Sequence, residues 1–269
     1  MNKTRIEKGG ALVEIYDYGA HLTRWRSGSG YDWIFTSSKT PMQPPAAIRG
    51  GVPIIFPQFN EFGEGQRHGF ARNKYWQLTS NQNGEIQYEL QTDAQTADLW
   101  PFSFKAQYRV TLEDRRLTLA LTVLNCGDKE FHFTAALHSY FRLEYLRQTE
   151  VLGLQGKNYW DNNKQPFQQR NTFSDHSLKF EDAIDRVYFD IAAPLVLQTG
   201  KHTLELEHSA FQDCVIWNPG HEAAAQMADF GDEEYQNMLC IEAAQIDHPI
   251  HLAPGESWTG AQILRDLSP

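Results

Sequence analysis

Two alternating stretches of the sequence each carry a side chain that can move protons. In residues 131–138 the strand period of two places His132 and His138 on the less apolar face. An imidazole has an ordinary pKa of about 6.5, so it can exchange protons near neutral pH. In residues 238–244 the same period places Glu242 beside Cys240. A desolvated carboxylate has a raised pKa and suits general-base catalysis. The alternatives are a histidine with structural hydrogen bonds only and a glutamate salt-bridged at an exposed sheet edge.

A basic, glycine-rich segment is a candidate anion site. Over residues 49–74 four basic side chains accompany two acidic ones, although the whole chain has a formal net charge of -10. Arg49 is followed by two glycines, and Arg67 and Arg72 flank the sequence HGFA. A guanidinium beside glycines can approach a phosphate or carboxylate closely and hold it with a planar set of donors. The alternative is that these arginines pair with surface acids.

Composition and motifs exclude several classes of function. With 24 Lys and Arg against 34 Asp and Glu, the chain lacks the basic stripe that binds nucleic acid. It has no phosphate-binding loop, no dinucleotide-binding glycine pattern and no G-x-S-x-G nucleophile turn. Cys126, Cys214 and Cys240 are too few and too far apart for a disulfide framework, so we expect buried, reduced thiols. The histidine and cysteine spacings match no metal site, and we expect no metal.

The elements that must position these side chains are strands. Apolar residues alternate over 86–90, 104–112 and 117–123, and a short turn at 114–116 predicts that the last two runs form a hairpin. Further strands are predicted at 10–16, 21–26, 32–37, 75–80, 131–138, 195–199, 203–207, 214–217, 238–246 and 258–264. No window of about eleven residues has a helical period. We therefore predict an all-β protein, a large antiparallel sandwich forming a single domain over residues 1–269.

Two stretches, 41–72 and 155–190, interrupt this alternation and are interpreted as long loops, which often carry function. No apolar run approaches the roughly 18 residues of a membrane helix, and the N-terminus lacks the apolar core of a secretory signal. We therefore expect a cytoplasmic protein without membrane contact, and a monomer by default.

Eight short blocks, in order, resemble the hexose-6-phosphate mutarotases, also called glucose-6-phosphate 1-epimerases, of the aldose 1-epimerase superfamily. The blocks are IRGGVP at 48–53, FP at 56–57, HGFAR at 68–72, ALHSYF at 136–141, DRVY at 185–188, IWNP at 216–219, CIE at 240–242 and LAPGESW at 252–258. Any one block alone would be a weak signal, but together they are highly specific.

The resemblance implies a galactose mutarotase-like β supersandwich with few short helices that binds a sugar phosphate in a cleft and uses no cofactor. By position, His138 would be the catalytic acid and Glu242 the catalytic base. The remaining matches imply that four residues bind the substrate: Arg49, His68, Arg72 and Asp185. The two arginines would hold the 6-phosphate.

The sequence departs from the family pattern at a few positions. Arg67 stands where close relatives are expected to have Gln, so it could add a phosphate contact or alter which sugar hydroxyls are recognised. Ala243 and Ala244 stand where a Pro is common, and Gly220 where an aromatic residue is frequent. Two other functions stay open: an epimerase for unphosphorylated aldoses, in which the arginines are structural, and a non-catalytic domain that binds carbohydrates or sugar phosphates.

Overall fold

The computed structural model describes residues 1–269, and its regular structure is almost entirely β-strand. The strands are β1 (Lys3–Lys8), β2 (Ala11–Tyr16), β3 (His21–Arg26), β4 (Ile54–Ile55), β5 (Gln77–Gln82), β6 (Glu85–Gln91), β7 (Phe104–Leu112), β8 (Arg116–Asn125), β9 (Phe131–Leu137), β10 (Tyr140–Arg142), β11 (Thr149–Leu152), β12 (Asn158–Asp161), β13 (Asn171–Thr172), β14 (Ser177–Lys179), β15 (Ile184–Tyr188), β16 (Leu195–Thr199), β17 (His202–Ser209), β18 (Asp213–Asn218), β19 (Met238–Leu252) and β20 (Ser257–Asp266). The α-helices are α1 (Ala94–Leu99) and α2 (Gly220–Ala224), and short 3-10 helices cover Ala71–Asn73, Leu146–Gln148 and Glu234–Asn237. The all-β prediction is confirmed. None of these helices has the length and apolar character needed to cross a membrane.

Two large antiparallel sheets form the body of the molecule. The nine-stranded sheet has the order β14-β11-β16-β17-β20-β8-β7-β6-β5, and the eight-stranded sheet has the order β13-β12-β15-β18-β19-β9-β4, with β10 paired to β19. A smaller sheet consists of β1, β2 and β3. Apolar side chains from all three sheets meet in one cluster of 53 buried residues. This cluster is the core of a sandwich, in which the inner faces of the sheets cover each other.

The β7–β8 hairpin shows how the sequence pattern produces this core. Phe104 pairs with Asn125 and Leu112 with Leu117, so the predicted hairpin is confirmed. Every second residue of both strands is buried. Burying a side chain the size of Leu or Phe stabilises the fold by about 1.5–3 kcal/mol. A slip of one residue would turn this whole face to water, so the alternation fixes the register.

In the eight-stranded sheet the same alternation directs one set of side chains into the main core and the other set to the outer face. On β9, Phe133 and Leu137 enter the main core, whereas Ala136 lies on the outer face. On β19, Ile241 enters the core and Cys240 lies on the outer face. Two small apolar clusters cover parts of this outer face, one formed by Ile55, Phe59, Ala136, Val187, Phe189, Val215, Ala244 and Ile246, the other by Phe35, Tyr140, Ala224, Phe230, Met238 and Cys240. The polar candidate residues of β9 and β19 lie between these clusters.

Three predictions need correction. Residues 32–37 form isolated bridges, such as Thr36 with Gly50, and no continuous strand. Residues 155–190 are not one long loop, because they contain β12 to β15. The strands β13 and β14 are short, polar and at sheet edges, where exposed polar residues are tolerated, so they gave no alternating signal. Cys126 is exposed, whereas Cys214 and Cys240 are buried as expected.

Asp266, at the end of β20, ties the last strand to the segment after β3. Its carboxylate accepts hydrogen bonds from the hydroxyls of Ser27 and Ser29, and its Oδ1 accepts one from the backbone N–H of Ser268 at 2.9 Å. Burial alone would raise its pKa, but these hydrogen bonds outweigh burial and lower the pKa to about 2. The ionised carboxylate therefore stabilises the folded state.

We expect Asp266→Asn to lower the free energy of unfolding at pH 7 by about 1–2 kcal/mol, a value reduced for solvent screening. The folded pKa is depressed, so the stabilisation is complete above the ordinary pKa of about 4 and is lost as the pH falls through about 2. Urea unfolding of both proteins at pH 7 and pH 3 measures the effect. An equal difference in stability at the two pH values would contradict this assignment.

Candidate active site

His138 and Glu242 face each other across two neighbouring strands. Ala243 of β19 pairs with Leu137 of β9, so Glu242 and His138, the next residues along, are opposite as well. Their side chains meet, with His138 Nδ1 3.3 Å from Glu242 Oε1. His138 is 9% exposed and Glu242 is 1% exposed. The alternative of a solvent-facing Glu242 at a sheet edge is wrong, because β19 has β18 on one side and β9 on the other.

Burial controls the protonation of this pair. Desolvation lowers the pKa of His138 well below its usual value, and nearby His68 and two arginines lower it further. Desolvation raises the pKa of Glu242 well above its usual value, Asp185 adds to the rise, and Arg72 opposes it. Both shifts have the same main cause, which is that a charged group loses its hydration. In the protein alone, the pair therefore favours its uncharged form, with the proton on Glu242.

Two aromatic residues that the sequence pattern did not mark as site residues, Tyr140 and Trp217, flank His138. The Tyr140 ring stacks on the imidazole, with centroids 4.9 Å apart and planes at 11°. Trp217 meets both rings edge-on, at 6.2 Å from His138 and 6.1 Å from Tyr140. Strand pairing puts both rings on this face, since Tyr140 is opposite Cys240 and Trp217 also pairs with Cys240, on the same face as Glu242. These rings restrict the imidazole and offer apolar surface to a sugar.

His68 reaches the cleft from the segment between β4 and the first 3-10 helix. Its φ of +65° lies in the left-handed region, and a Cβ on the following Gly69 would lie only 2.0 Å from the carbonyl oxygen of Phe56. The His68 Nδ1 accepts a hydrogen bond from the backbone N–H of Asn60 at 3.1 Å. Burial, with nearby arginines, lowers the pKa of His68 to about 3. His68 is therefore neutral with its proton on Nε2, and its ring lies 5.7 Å from that of His138.

Arg49 stands beside Tyr140 and also has an acidic partner. Its Nε donates to Asp229 Oδ2 at 3.1 Å and its Nη1 donates to the Tyr140 hydroxyl at 3.4 Å. The turn that carries it needs a glycine next, because a Cβ on Gly50 would lie 2.5 Å from the Cα of Thr36. The sequence left open whether Arg49 binds an anion or pairs with an acid. In the structure it pairs with Asp229 and also lies beside Tyr140, which stacks on His138.

Arg72 has no carboxylate partner. Its Nη2 donates to the backbone carbonyl of Arg67 at 3.3 Å, and its Nε is buried without a hydrogen-bond partner. Burial is the largest cause that lowers the pKa of Arg72, and neighbouring arginines also lower it. A partly buried guanidinium with a free donor is the arrangement that a bound anion satisfies. Arg67 is exposed at the rim, where its Nε donates to Asn60 Oδ1 at 2.9 Å.

Asp185 approaches the pair on the same face of the sheet, from the β15 side. It lies on β15 opposite Trp217 of β18, and its Oδ1 accepts a hydrogen bond from Asn162 Nδ2 at 2.8 Å. Burial raises its pKa, and the hydrogen bond from Asn162 opposes the rise. Asn162 thus orients Asp185, although the sequence did not mark it as a site residue. It lies in the stretch 155–190, which was expected to be a loop.

The structure brings the predicted site residues together on the outer face of the eight-stranded sheet. Asp185 occupies the β15 side and the arginines come from the segments before and after β4. The residues of this one cluster are Arg49, His68, Arg72, His138, Asp185 and Glu242, with Arg67 at the rim. A buried acid–base pair between an aspartate and a group of arginines can exchange protons with a polar, anionic ligand.

Known proteins share this architecture and sequence. The profile of the aldose 1-epimerase family matches residues 2–265. The chain belongs to the aldose 1-epimerase family. A relative from Cenchrus ciliaris, provisionally named a glucose-6-phosphate 1-epimerase, is 36% identical over 264 residues, which cover 92% of this chain and 79% of the relative. A relative from Escherichia coli with the same provisional name is 30% identical over 253 residues, which cover 87% of this chain and 83% of the relative.

Solved structures agree with this membership. A crystal structure from Salmonella typhimurium, provisionally described as a mutarotase, superimposes with a TM-score of 0.91 at 27% identity and covers 98% of this chain and 90% of its own. A galactose mutarotase-related enzyme from Lactobacillus acidophilus has a TM-score of 0.81 at 18% identity, covers 99% and 98% of the two chains, and shows the fold alone. The predicted galactose mutarotase-like sandwich is confirmed. This member of the aldose 1-epimerase family is an isomerase that binds a sugar.

Proposed function

We propose that the protein interconverts the α and β anomers of D-hexose 6-phosphates, with His138 and Glu242 as its acid–base pair. The observation that carries the proposal is the buried contact between these two side chains, beside an arginine, Arg72, that has no carboxylate partner. The provisional names of the relatives, which specify glucose 6-phosphate, support a phosphorylated substrate.

The pair supplies both proton transfers that the reaction needs. Protonated His138 donates to the ring oxygen O5 while ionised Glu242 takes the proton of the C1 hydroxyl, and the C1–O5 bond breaks to leave a carbonyl at C1. The proton is then on Glu242, which is the uncharged state of the pair that burial favours. After rotation about the C1–C2 bond the steps reverse, and the ring closes on the other face of C1.

The remaining residues hold the substrate in this geometry. Arg72 and Arg49 bind the 6-phosphate, and Arg67 adds a weaker contact from the rim. Both guanidiniums lower the pKa of His138, and a phosphate bound between them offsets this effect. Substrate binding therefore favours the protonated form of His138. Asp185 accepts a hydrogen bond from a ring hydroxyl, and His68 donates one from Nε2. A small sugar phosphate is thus the only partner that the reaction requires, and we expect a cofactor-free monomer acting in the cytoplasm.

Anomer exchange measured by NMR tests the proposal. We expect the protein to accelerate exchange of glucose 6-phosphate more strongly than exchange of glucose, and His138→Ala to remove the acceleration. Galactose and mannose 6-phosphates, measured in parallel, report which hexose is preferred. Because the uncatalysed reaction is measurable, the rate without protein is subtracted in each case.

Two results would overturn parts of the proposal. Equal or greater acceleration of free glucose would favour an epimerase for unphosphorylated aldoses. In that case the ion pair of Arg49 with Asp229 would have a structural role. No acceleration of any of the four sugars would favour a binding domain without turnover.

A further inference from the structure

Cys240 is a buried thiol beside the acid–base pair that the proposed reaction does not use. It lies on β19 two residues before Glu242, on the same face, and is opposite Tyr140 of β10. The other cysteines are elsewhere, because Cys214 points into the main core and Cys126 is exposed. Cys240 is therefore the only thiol that can act together with the catalytic pair.

The three side chains form a set of metal donors. One donor atom from each of His138, Cys240 and Glu242 lies within 4.8 Å of the other two. Bonds to zinc of about 2.0–2.3 Å place tetrahedral ligands roughly 3.3–3.8 Å apart. The imidazole-to-carboxylate distance of 3.3 Å already has this spacing. The thiol needs to approach by about 1 Å at most, which a small side-chain rotation supplies.

The donors are also free to bind. His138 Nδ1 and Glu242 Oε2 are buried without hydrogen-bond partners. When a cation displaces the protons of the Cys240 thiol and the Glu242 carboxyl, these two ligands supply two negative charges, which match a divalent ion. Thiolate and imidazole ligands select zinc-like ions over magnesium, which prefers oxygen ligands.

We propose that His138, Cys240 and Glu242 form an inhibitory site for a thiophilic divalent cation such as Zn²⁺. The ion replaces the protons of the Cys240 thiol and the Glu242 carboxyl, which both go to solvent, and the three protein ligands leave a fourth position for water. It occupies the atoms that must exchange protons with the sugar, so cation and substrate compete. The inhibition rests on the proposed function, whereas binding of the cation does not.

Absorption spectroscopy with Co²⁺ tests binding without any activity. We expect the full chain to show a thiolate-to-Co²⁺ charge-transfer band that excess Zn²⁺ removes. The band should persist in Cys126→Ala and in the double variant Cys126→Ala/Cys214→Ala, where Cys240 is the remaining thiol, and should be lost in Cys240→Ala. Absence of a band in the double variant would overturn the proposal even if Cys240→Ala failed to fold.

Inhibition of anomer exchange provides the second measurement. We expect Zn²⁺ to inhibit the wild-type protein in competition with substrate, Mg²⁺ to have no effect at the same concentration, and a chelator to restore activity. Cys240→Ala should need at least about tenfold more Zn²⁺ for the same inhibition, because even the loss of a contact that only orients a ligand lowers metal affinity by about 10–100-fold. Equal inhibition of wild type and Cys240→Ala would overturn the role of the thiol. A Co²⁺ band without any epimerase activity would refute the proposed function and leave the cation site standing.

Discussion

Glu242→Gln is expected to lower kcat for anomer exchange of a hexose 6-phosphate by about 10²–10⁴-fold, the range for loss of a positioned acid or base. Glutamine keeps the shape of the side chain but cannot take the proton from the C1 hydroxyl. KM should change little, since the phosphate contacts remain. The melting temperature should not fall, because the wild-type protein buries an ionisable carboxylate whose Oε2 has no hydrogen-bond partner. NMR exchange at saturating substrate and thermal unfolding give the two quantities.

His138→Ala should be similarly inactive, and the two substitutions should not add. Because ring opening needs His138 to donate one proton and Glu242 to accept another in the same step, removal of either residue disables the step, so the double variant should be about as slow as each single one. His132→Ala is the matched control, since His132 precedes His138 on the same face of β9 but is exposed. A double variant much slower than both single variants would show that the two residues do not act as a unit.

Arg72→Met is expected to raise KM for hexose 6-phosphates by about 10–100-fold, the effect of losing charge-assisted hydrogen bonds to a phosphate. Methionine retains much of the aliphatic bulk and removes the charge. Arg49→Met should have a smaller effect, because Arg49 also pairs with Asp229. Arg67→Met should have the smallest effect, because an exposed charge is screened by solvent. Initial rates over a range of substrate concentration separate KM from kcat.

Free glucose provides the internal control for the arginines. Its binding should be unaffected by Arg72→Met, since it has no phosphate to lose contact with. Arg109→Met is the control variant, because Arg109 lies on β7 of the other large sheet and its side chain is 53% exposed. If Arg72→Met weakened glucose and glucose 6-phosphate equally, the arginine would be a structural residue, as in the alternative for unphosphorylated aldoses.

The fold was predictable wherever one strand face is buried and the other is not. The β7–β8 hairpin follows this rule, because burial of every second residue leaves a period of two in the sequence. Most residues of β9 and the first part of β19 are buried on both faces, and there the alternation separates the main core from the outer-face clusters. The edge strands β13 and β14 left no such pattern, since a polar edge strand buries little. The extent of a single domain over residues 1–269 stays a prediction, although one apolar cluster joins all three sheets.

The same alternation determined which residues share a face, but not which faces meet. In the sequence, His138 and Glu242 lie on two predicted strands more than 100 residues apart. Each is on the less apolar side of its strand. Their contact depends on the pairing of β9 with β19 and on its register, which are non-local. The neighbours Tyr140 and Trp217 became recognisable as site residues only through the strand pairing that places them around His138.

The sequence by itself determined the class of fold and the family resemblance, and it supplied the residues that we propose as acid, base and phosphate ligands. Only the tertiary structure decided that Glu242 is buried and not at a sheet edge, that Arg49 has an acidic partner while Arg72 has none, and that Cys240 joins the pair. The physical reason is that residue type and local periodicity are properties of the sequence itself. Desolvation, charge pairing and donor geometry depend on segments that meet only after folding.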